Sequence, residues 1–287
     1  MLEKQPSRTA LGAAGHRAAH QTLDGGRIFK DPLAVQILGE DRDAILADPR
    51  RLRATGLRLF IALRSAIAER ALAKGVETRG VTQAVILGAG LDTFAYRNPF
   101  EGRLKVFEVD HPATQAWKRR RLAETGIAIP DSVTFAPVDF ERDKLMDALV
   151  ANGFDPAKRT FFVWLGVTYY LTREAILTTF ETIGAVPGGA EVAFDYGEPP
   201  HKSSFLFRRA RRRLAERVAE AGEPFVSNFE PKDLHAVLHA RGFTEIDDRG
   251  PRELFGPFSR TPRWLLPKHG AHVAVARTPV TADPPTA

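Results

Sequence analysis

From residue 84 onward, short runs of apolar residues alternate with segments whose apolar positions recur every three or four residues. Runs of four to eight β-branched and aromatic residues read as buried strands, and the intervening periodicity reads as helix. The alternation predicts an α/β chain with a mostly parallel sheet covered on both faces. Seven strands fall at 84–87, 104–109, 133–137, 160–165, 190–196, 244–248 and 272–277. Helices are expected near 111–125, 143–152, 173–185 and 232–240.

The punctuation between these elements refines the layout. Thr172 can cap the helix that follows it, and Pro187-Gly188-Gly189 breaks that helix before the fifth strand. Residues 197–230 are too many for an ordinary connection and carry a basic helical stretch, 205–221, so they predict an inserted lid. Residues 249–270 have no helical period, which suits an antiparallel return into the last strand. Ahead of the sheet, Leu57, Phe60, Ile61, Arg64, Ile67, Ala68 and Ala71 recur at helical spacing, and Gly75 is expected to stop that helix. The expected organisation is a helical segment at 1–80 packing on the core, an α/β domain at 81–278 with its lid, and a loose tail at 279–287.

Composition narrows the function classes. With 44% hydrophobic residues in 287, the chain can form a continuous core. No cysteine occurs, so disulfides, thiolate zinc sites and cysteine nucleophiles are excluded. No uncharged apolar run is long enough to span a membrane, and the first 30 residues lack an apolar signal core, so a cytoplasmic protein is expected. The net charge of +6 is concentrated in Lys118-Arg119-Arg120-Arg121 and in the basic stretch 202–217. Only Phe205 and Phe207 accompany the second run, too few for a base-stacking platform, so both runs are expected to be solvated helix faces and nucleic acid is not an expected partner. His235 and His239 share a helix face, but no third ligand stands near them and no metal is expected.

The candidate chemistry lies at the strand ends. The first strand runs straight into Gly88-Ala89-Gly90, where glycines permit a sharp turn and leave backbone amides open to a ligand. The second strand ends on Asp110, 22 residues after Gly88, an interval suited to an acid that binds ribose hydroxyls. Thr93 replaces the third glycine of a dinucleotide loop, and Asp92 places an anion at the expected helix start, where it opposes a pyrophosphate but suits a sulfonium and an ammonium. Asp139 and Phe140 offer an acceptor and an aromatic wall for adenine, and the fourth strand leads into Gly166-Val167-Thr168-Tyr169-Tyr170. This ordered series favours S-adenosylmethionine over NAD. The alternatives are an NAD-dependent oxidoreductase and a non-catalytic binding protein on the same fold.

Several motifs together resemble the leucine carboxyl methyltransferase-like family of S-adenosylmethionine-dependent methyltransferases, in its bacterial branch. They are Ser7-Arg8-Thr9-Ala10 with Arg17-Ala18, Ile28-Phe29-Lys30-Asp31-Pro32, Leu63-Arg64-Ser65, Leu87-Gly88-Ala89-Gly90-Leu91-Asp92-Thr93, Phe107-Glu108-Val109-Asp110 and Gly166-Val167-Thr168-Tyr169-Tyr170-Leu171. The resemblance implies a Rossmann-like class I methyltransferase fold, with the cofactor around Gly88, Ala89, Gly90, Asp92 and Gly166. It implies Asp110 for the ribose, Asp139 and Phe140 for the adenine, Arg64 for the cofactor carboxylate and Arg17 as a second basic contact. Eukaryotic members carry a glutamate where this chain has Leu165, which points away from a protein C-terminus and toward a small metabolite or polyketide acceptor. A carboxylate acceptor is already ionised and needs only positioning, for which Tyr170, Tyr196 or a lid arginine would serve; a phenol would gain from a base such as His201.

Overall fold

The structure, a computed structural model, describes residues 8–49, 53–139, 143–200, 212, 215–216, 224–259 and 261–279. Seven strands form one sheet: β1 (Gln83–Leu87), β2 (Lys105–Asp110), β3 (Val133–Pro137), β4 (Thr160–Trp164), β5 (Ala190–Gly197), β6 (Glu245–Arg249) and β7 (Ala271–Arg277). Their spatial order is β3-β2-β1-β4-β5-β7-β6. The first five run parallel, while β7 lies antiparallel between β5 and β6. Each expected strand is present within a residue or two, and 249–270 makes the expected antiparallel return. That return carries a short helix at Pro251–Phe255 where the sequence shows no helical period, because Pro251 at the first turn starts a helix too short to display one.

The helices preceding the sheet are α1 (Arg8–Leu23), α2 (Arg42–Ala47) and α3 (Thr55–Thr78); those between strands are α4 (Pro112–Glu124), α5 (Leu145–Ala151), α6 (Arg173–Gly184), α7 (Pro231–His239) and α8 (Pro251–Phe255). Alternate strand positions face opposite ways, so each sheet face builds its own core. Val85, Leu87, Phe107, Phe162, Trp164 and Phe194 pack with apolar residues of α5, α6 and α7. Ala84, Ile86, Val106, Phe161, Val163 and Ala193 pack on the other side against Ala68 and Leu72 of α3. Thr172 caps α6 as its sequence indicates, accepting from Ala175 N at 3.2 Å.

Gly75 does not stop its helix. α3 continues through it to Thr78, and Gly75 instead lets the helix approach the sheet: a Cβ there would lie 2.9 Å from Val81 Cγ2. Its carbonyl accepts from both Arg79 N and Val81 N, which closes the helix end. Nor does an α-helix start at Asp92. Between β1 and β2 there is only a 3₁₀ turn, Phe94–Arg97, because Thr93 and Asp92 are drawn into side-chain bonds described below.

Of the lid, 197–230, the arms at 197–200 and 224–230 are described; its basic stretch 205–221 lies outside the described residues except for Arg212, Ala215 and Glu216. Residues 280–287 of the expected tail also lie outside them. No helix among the described residues is long and apolar enough to cross a membrane.

Candidate active site

The glycine loop is fastened to the end of β2. Gly88 N and Ala89 N both donate to Val109 O, at 2.8 and 3.1 Å, and Gly90 N donates to Asp110 Oδ2 at 2.6 Å. The second oxygen of Asp110 accepts from His111 N at 2.7 Å. Burial pushes the Asp110 carboxyl above its ordinary range, and these two backbone bonds oppose that shift only in part. Gly88 has φ +66° and a Cβ there would sit 2.4 Å from Val167 Cγ2; Gly90 has φ +43° and a Cβ would sit 2.9 Å from the Ala10 Cβ. The chain therefore passes where no side chain fits, and an acid stands beside it. This cradle has the room and the neighbouring carboxylate that an adenosine cofactor requires.

Two arginines reach this edge from the N-terminal helices. Arg17 donates to Leu91 O at 2.6 Å and lies 3.2 Å from Asp31 and 3.5 Å from Asp92. It therefore braces the glycine loop through its backbone. Asp92 Oδ1 accepts from Phe94 N at 2.8 Å, so this acid caps the short turn. Burial opposes its charge, but Arg17 and Lys118 outweigh that and hold its carboxyl below the usual range. Asp31, marked in the sequence only by its motif, is the buried hub of the brace: Thr93 donates its hydroxyl to it at 2.7 Å and Arg97 lies at 3.3 Å. Arg64 of α3 pairs with Asp195 at the end of β5, Nη1 to Oδ2 at 2.7 Å. Its guanidinium packs on Gly166, where a Cβ would be 2.7 Å from Nη2.

The ends of β3 and β4 complete the edge. Asp139 follows directly on Val138, whose N donates to Asp110 O at 2.9 Å, and Asp139 N donates to Asp143 at 2.8 Å. Asp139 thus stands at the same edge as Asp110; Phe140 lies outside the described residues. Leu165 packs against the α3-side core; on the neighbouring strand Asp195 follows Phe194, the β5 partner of Trp164. Tyr169 and Tyr170 form an aromatic group with Phe225 from the returning arm of the lid, each ring centroid 5.6 Å from that of Phe225. Val226 N donates to Tyr169 O at 2.7 Å and Phe229 N to Gly197 O at 3.0 Å, so the lid returns directly over the end of β4. His201, the candidate base, lies outside the described residues.

The basic run 118–121 is only half a solvated face. Lys118 is buried and donates to Glu108 at 2.7 Å, while Arg121 donates to Leu38 O at 2.6 Å and Asp41 at 2.7 Å. A 3.6-residue period turns positions 118 and 121 inward together, and the acid of the Phe-Glu-Val-Asp motif needs a counter-charge there. Arg119 and Arg120 alone are exposed. His235 and His239 likewise do not converge: His235 meets Asp248 at 2.8 Å and His239 meets Phe243 O at 2.9 Å. Among the described residues no cluster has the makings of a metal site.

A mostly parallel sheet whose glycine loop and neighbouring acid lie at the carboxyl ends of adjacent strands is the architecture of a nucleotide-cofactor site on a doubly wound fold. The leucine carboxyl methyltransferase family model matches residues 10–184. YktD of Bacillus subtilis (strain 168), assigned to the S-adenosyl-L-methionine-dependent methyltransferases, is 31% identical over 283 residues, covering 88% of this chain and 91% of its own. ML2020 of Mycobacterium leprae (strain TN), with the same assignment, is 30% identical over 88% of this chain and 85% of its own. Among solved structures, a DUF574 family protein from Streptomyces avermitilis MA-4680 superposes with a TM-score of 0.56 at 15% identity, covering 93% of this chain and 97% of that one. A protein from Thermobifida fusca YX, assigned as a methyltransferase, gives a TM-score of 0.55 at 17% identity over 92% and 94%. These two likenesses are of fold. The chain belongs to the leucine carboxyl methyltransferase family. It is an enzyme that uses S-adenosylmethionine as methyl donor, and the NAD-dependent alternative is set aside.

Proposed function

We propose that the protein is an O-methyltransferase acting on a carboxylate or phenolic hydroxyl of a small metabolite or polyketide. One observation carries this reading: the end of β4 sets Tyr169 and Tyr170 against Phe225 of the lid, beside Gly166 and the Arg64 guanidinium. Apolar rings with hydroxyl edges suit a small acceptor whose oxygen those hydroxyls can position. The bound cofactor supplies an activated methyl group on a sulfonium. The protein's part is to hold the acceptor oxygen in line with that group and exclude water. In this reading Gly88, Ala89, Gly90 and Asp110 hold the nucleoside, with Asp139 and Phe140 at the adenine. Arg64 and Gly166 meet the amino acid end, and Arg17 with Asp92 keeps the loop in place. Tyr170 positions the acceptor, and His201 takes the proton if the acceptor is a phenol. The described helices of the segment 1–80 pack on the α/β domain at 81–278, and the described arms of the lid, 197–200 and 224–230, border the acceptor in this reading.

The test is incubation of the full chain with a metabolite extract and methyl-labelled cofactor, followed by mass spectrometry. The expected result is a small acid or phenol that gains a labelled methyl on oxygen. Labelling confined to nitrogen, to carbon or to protein would overturn the reading.

A further inference from the structure

The end of β5 carries a carboxylate that no sequence motif marks. Asp195 lies one residue past Phe194, the last β5 position in register with β4, and its side chain has no solvent exposure. A carboxylate is tolerated in such a place only where donors replace water, and Asp195 has them from two separate segments. Its Oδ1 accepts from Gly166 N at 2.6 Å and its Oδ2 from Arg64 Nη1 at 2.7 Å. One side chain thereby fixes both the loop after β4 and the guanidinium of α3.

The arginine is held from several sides. Asp195 takes Nη1, the Phe60 ring lies 5.9 Å from the guanidinium carbon, and Gly166 provides the gap into which the group fits. Burial works against its charge, but Asp195 outweighs it and keeps the group firmly cationic. Among the described residues Nε and Nη2 have no acceptor, and the side chain keeps 12% of its surface exposed. Unused donors and a fixed anion therefore stand side by side next to Gly166. Gly166 is followed by Val167, the residue that packs on Gly88, so this pair borders the glycine loop.

An α-amino acid group at neutral pH carries a carboxylate and an ammonium on one carbon. A guanidinium with unused N–H donors is the partner for that carboxylate. We propose that Asp195 is a positioning residue that aims Arg64 at the carboxylate of the cofactor's amino acid end. The proposal rests on the reading of Arg64 as the partner of the cofactor carboxylate.

Two ligands separate this role from a merely structural one. S-adenosylhomocysteine carries the amino acid end, whereas 5′-methylthioadenosine keeps the nucleoside and sulfur and has a methyl group in its place. Calorimetry on the full chain compares both ligands for the wild type, Asp195→Asn and Arg64→Ala. Asparagine can still accept from Gly166 N, so the loop contact survives while the charge is lost. Asp195→Asn should weaken S-adenosylhomocysteine by about 10-fold, the scale of one charge-assisted hydrogen bond, and leave methylthioadenosine within about 2-fold. Retained methylthioadenosine binding reports an intact site. If the Asn variant does not fold, Asp195→Glu, which keeps the charge but displaces it by a methylene, should show the same selective loss. Unchanged or tighter S-adenosylhomocysteine binding, or equal weakening of both ligands, overturns the proposal. If Arg64→Ala leaves S-adenosylhomocysteine binding intact, the reading of Arg64 itself falls; if Arg64→Ala is selective and Asp195→Asn is silent, only the role of Asp195 falls.

Discussion

Asp110 shows how one side chain can serve the protein before it serves a ligand. Its oxygens hold Gly90 N and His111 N, so the carboxylate shapes the loop it borders. Each oxygen keeps a further lone pair, which the proposed site assigns to a ribose hydroxyl. Asp110→Ala removes both functions, and S-adenosylhomocysteine affinity by calorimetry should fall about 10- to 100-fold, the scale of one or two charge-assisted hydrogen bonds. Unaltered affinity would mean that the ribose acid lies elsewhere. The juxtaposition of Asp110 with the loop at Gly88 could be read from spacing alone because the strand–turn geometry imposes that spacing. Asp31, Glu108 and Asp195 could not, since their partners lie 62, 10 and 131 residues away in the chain. Lys118 and Arg121 looked like surface charges because composition records what a residue is and not which face of a helix it occupies.

At the scale of elements, the sheet is clasped at the edge opposite the cofactor loop. Glu191, near the start of β5, is fully buried and bound by three arginines. Arg79 follows α3 and reaches it through Nε and Nη2, both at 2.6 Å. Arg159 precedes β4 and lies at 3.4 Å, and Arg277 ends β7 at 3.2 Å. The clasp ties the end of α3, the helix that carries Arg64, to β4, β5 and β7. Removing one member of a buried charge cluster strands the others, so Glu191→Ala should cost about 3–5 kcal/mol in urea denaturation. A loss of the size usual for a surface substitution would contradict this account. The strands themselves were legible to within a residue or two, because burial on both faces forces continuous apolar runs. The position of β7 between β5 and β6 was not, since strand order depends on which edges pair and not on any local pattern.

For the whole molecule, a cluster of carboxylates, histidines and a tyrosine joins β5, β6, β7 and α7 on the same side as the lid arms. Asp248 of β6 accepts from Tyr196 of β5 at 2.6 Å and contacts His235 of α7 at 2.8 Å and His272 of β7 at 2.9 Å. Glu198 meets His269 at 3.0 Å and His272 at 3.5 Å, and Tyr196 stacks on the His272 ring. Burial alone would lower the His272 pKa, but Asp248 and Glu198 outweigh it, so the folded value stands above 6.5. That contribution to stability is complete below pH 6.5 and is lost as the pH rises through the folded value. Burial likewise opposes the charge of Asp248 and Glu198, but their hydrogen-bond partners hold them below 3.8 and 4.5. Their contribution is present above those values and is lost as the pH falls. The cluster therefore supports the fold most between about pH 4.5 and 6.5. From about pH 6 to about pH 9, the Tm of the wild type should fall further than that of His272→Gln. Parallel curves would show that His272 does not titrate in this range.

The sequence by itself determined the α/β alternation, the strand positions, the glycine loop with its acid at Asp110, and the family. All of these depend on short-range periodicity and fixed spacing, which a linear chain displays directly. Only the tertiary structure decided that Gly75 is a contact and not a stop, that Asp92 caps a 3₁₀ turn, and that Lys118 and Arg121 point inward. It alone placed Asp195 on Arg64 and the lid arm on Tyr169. Those facts arise where segments distant in sequence meet, and burial then dictates which charges must pair.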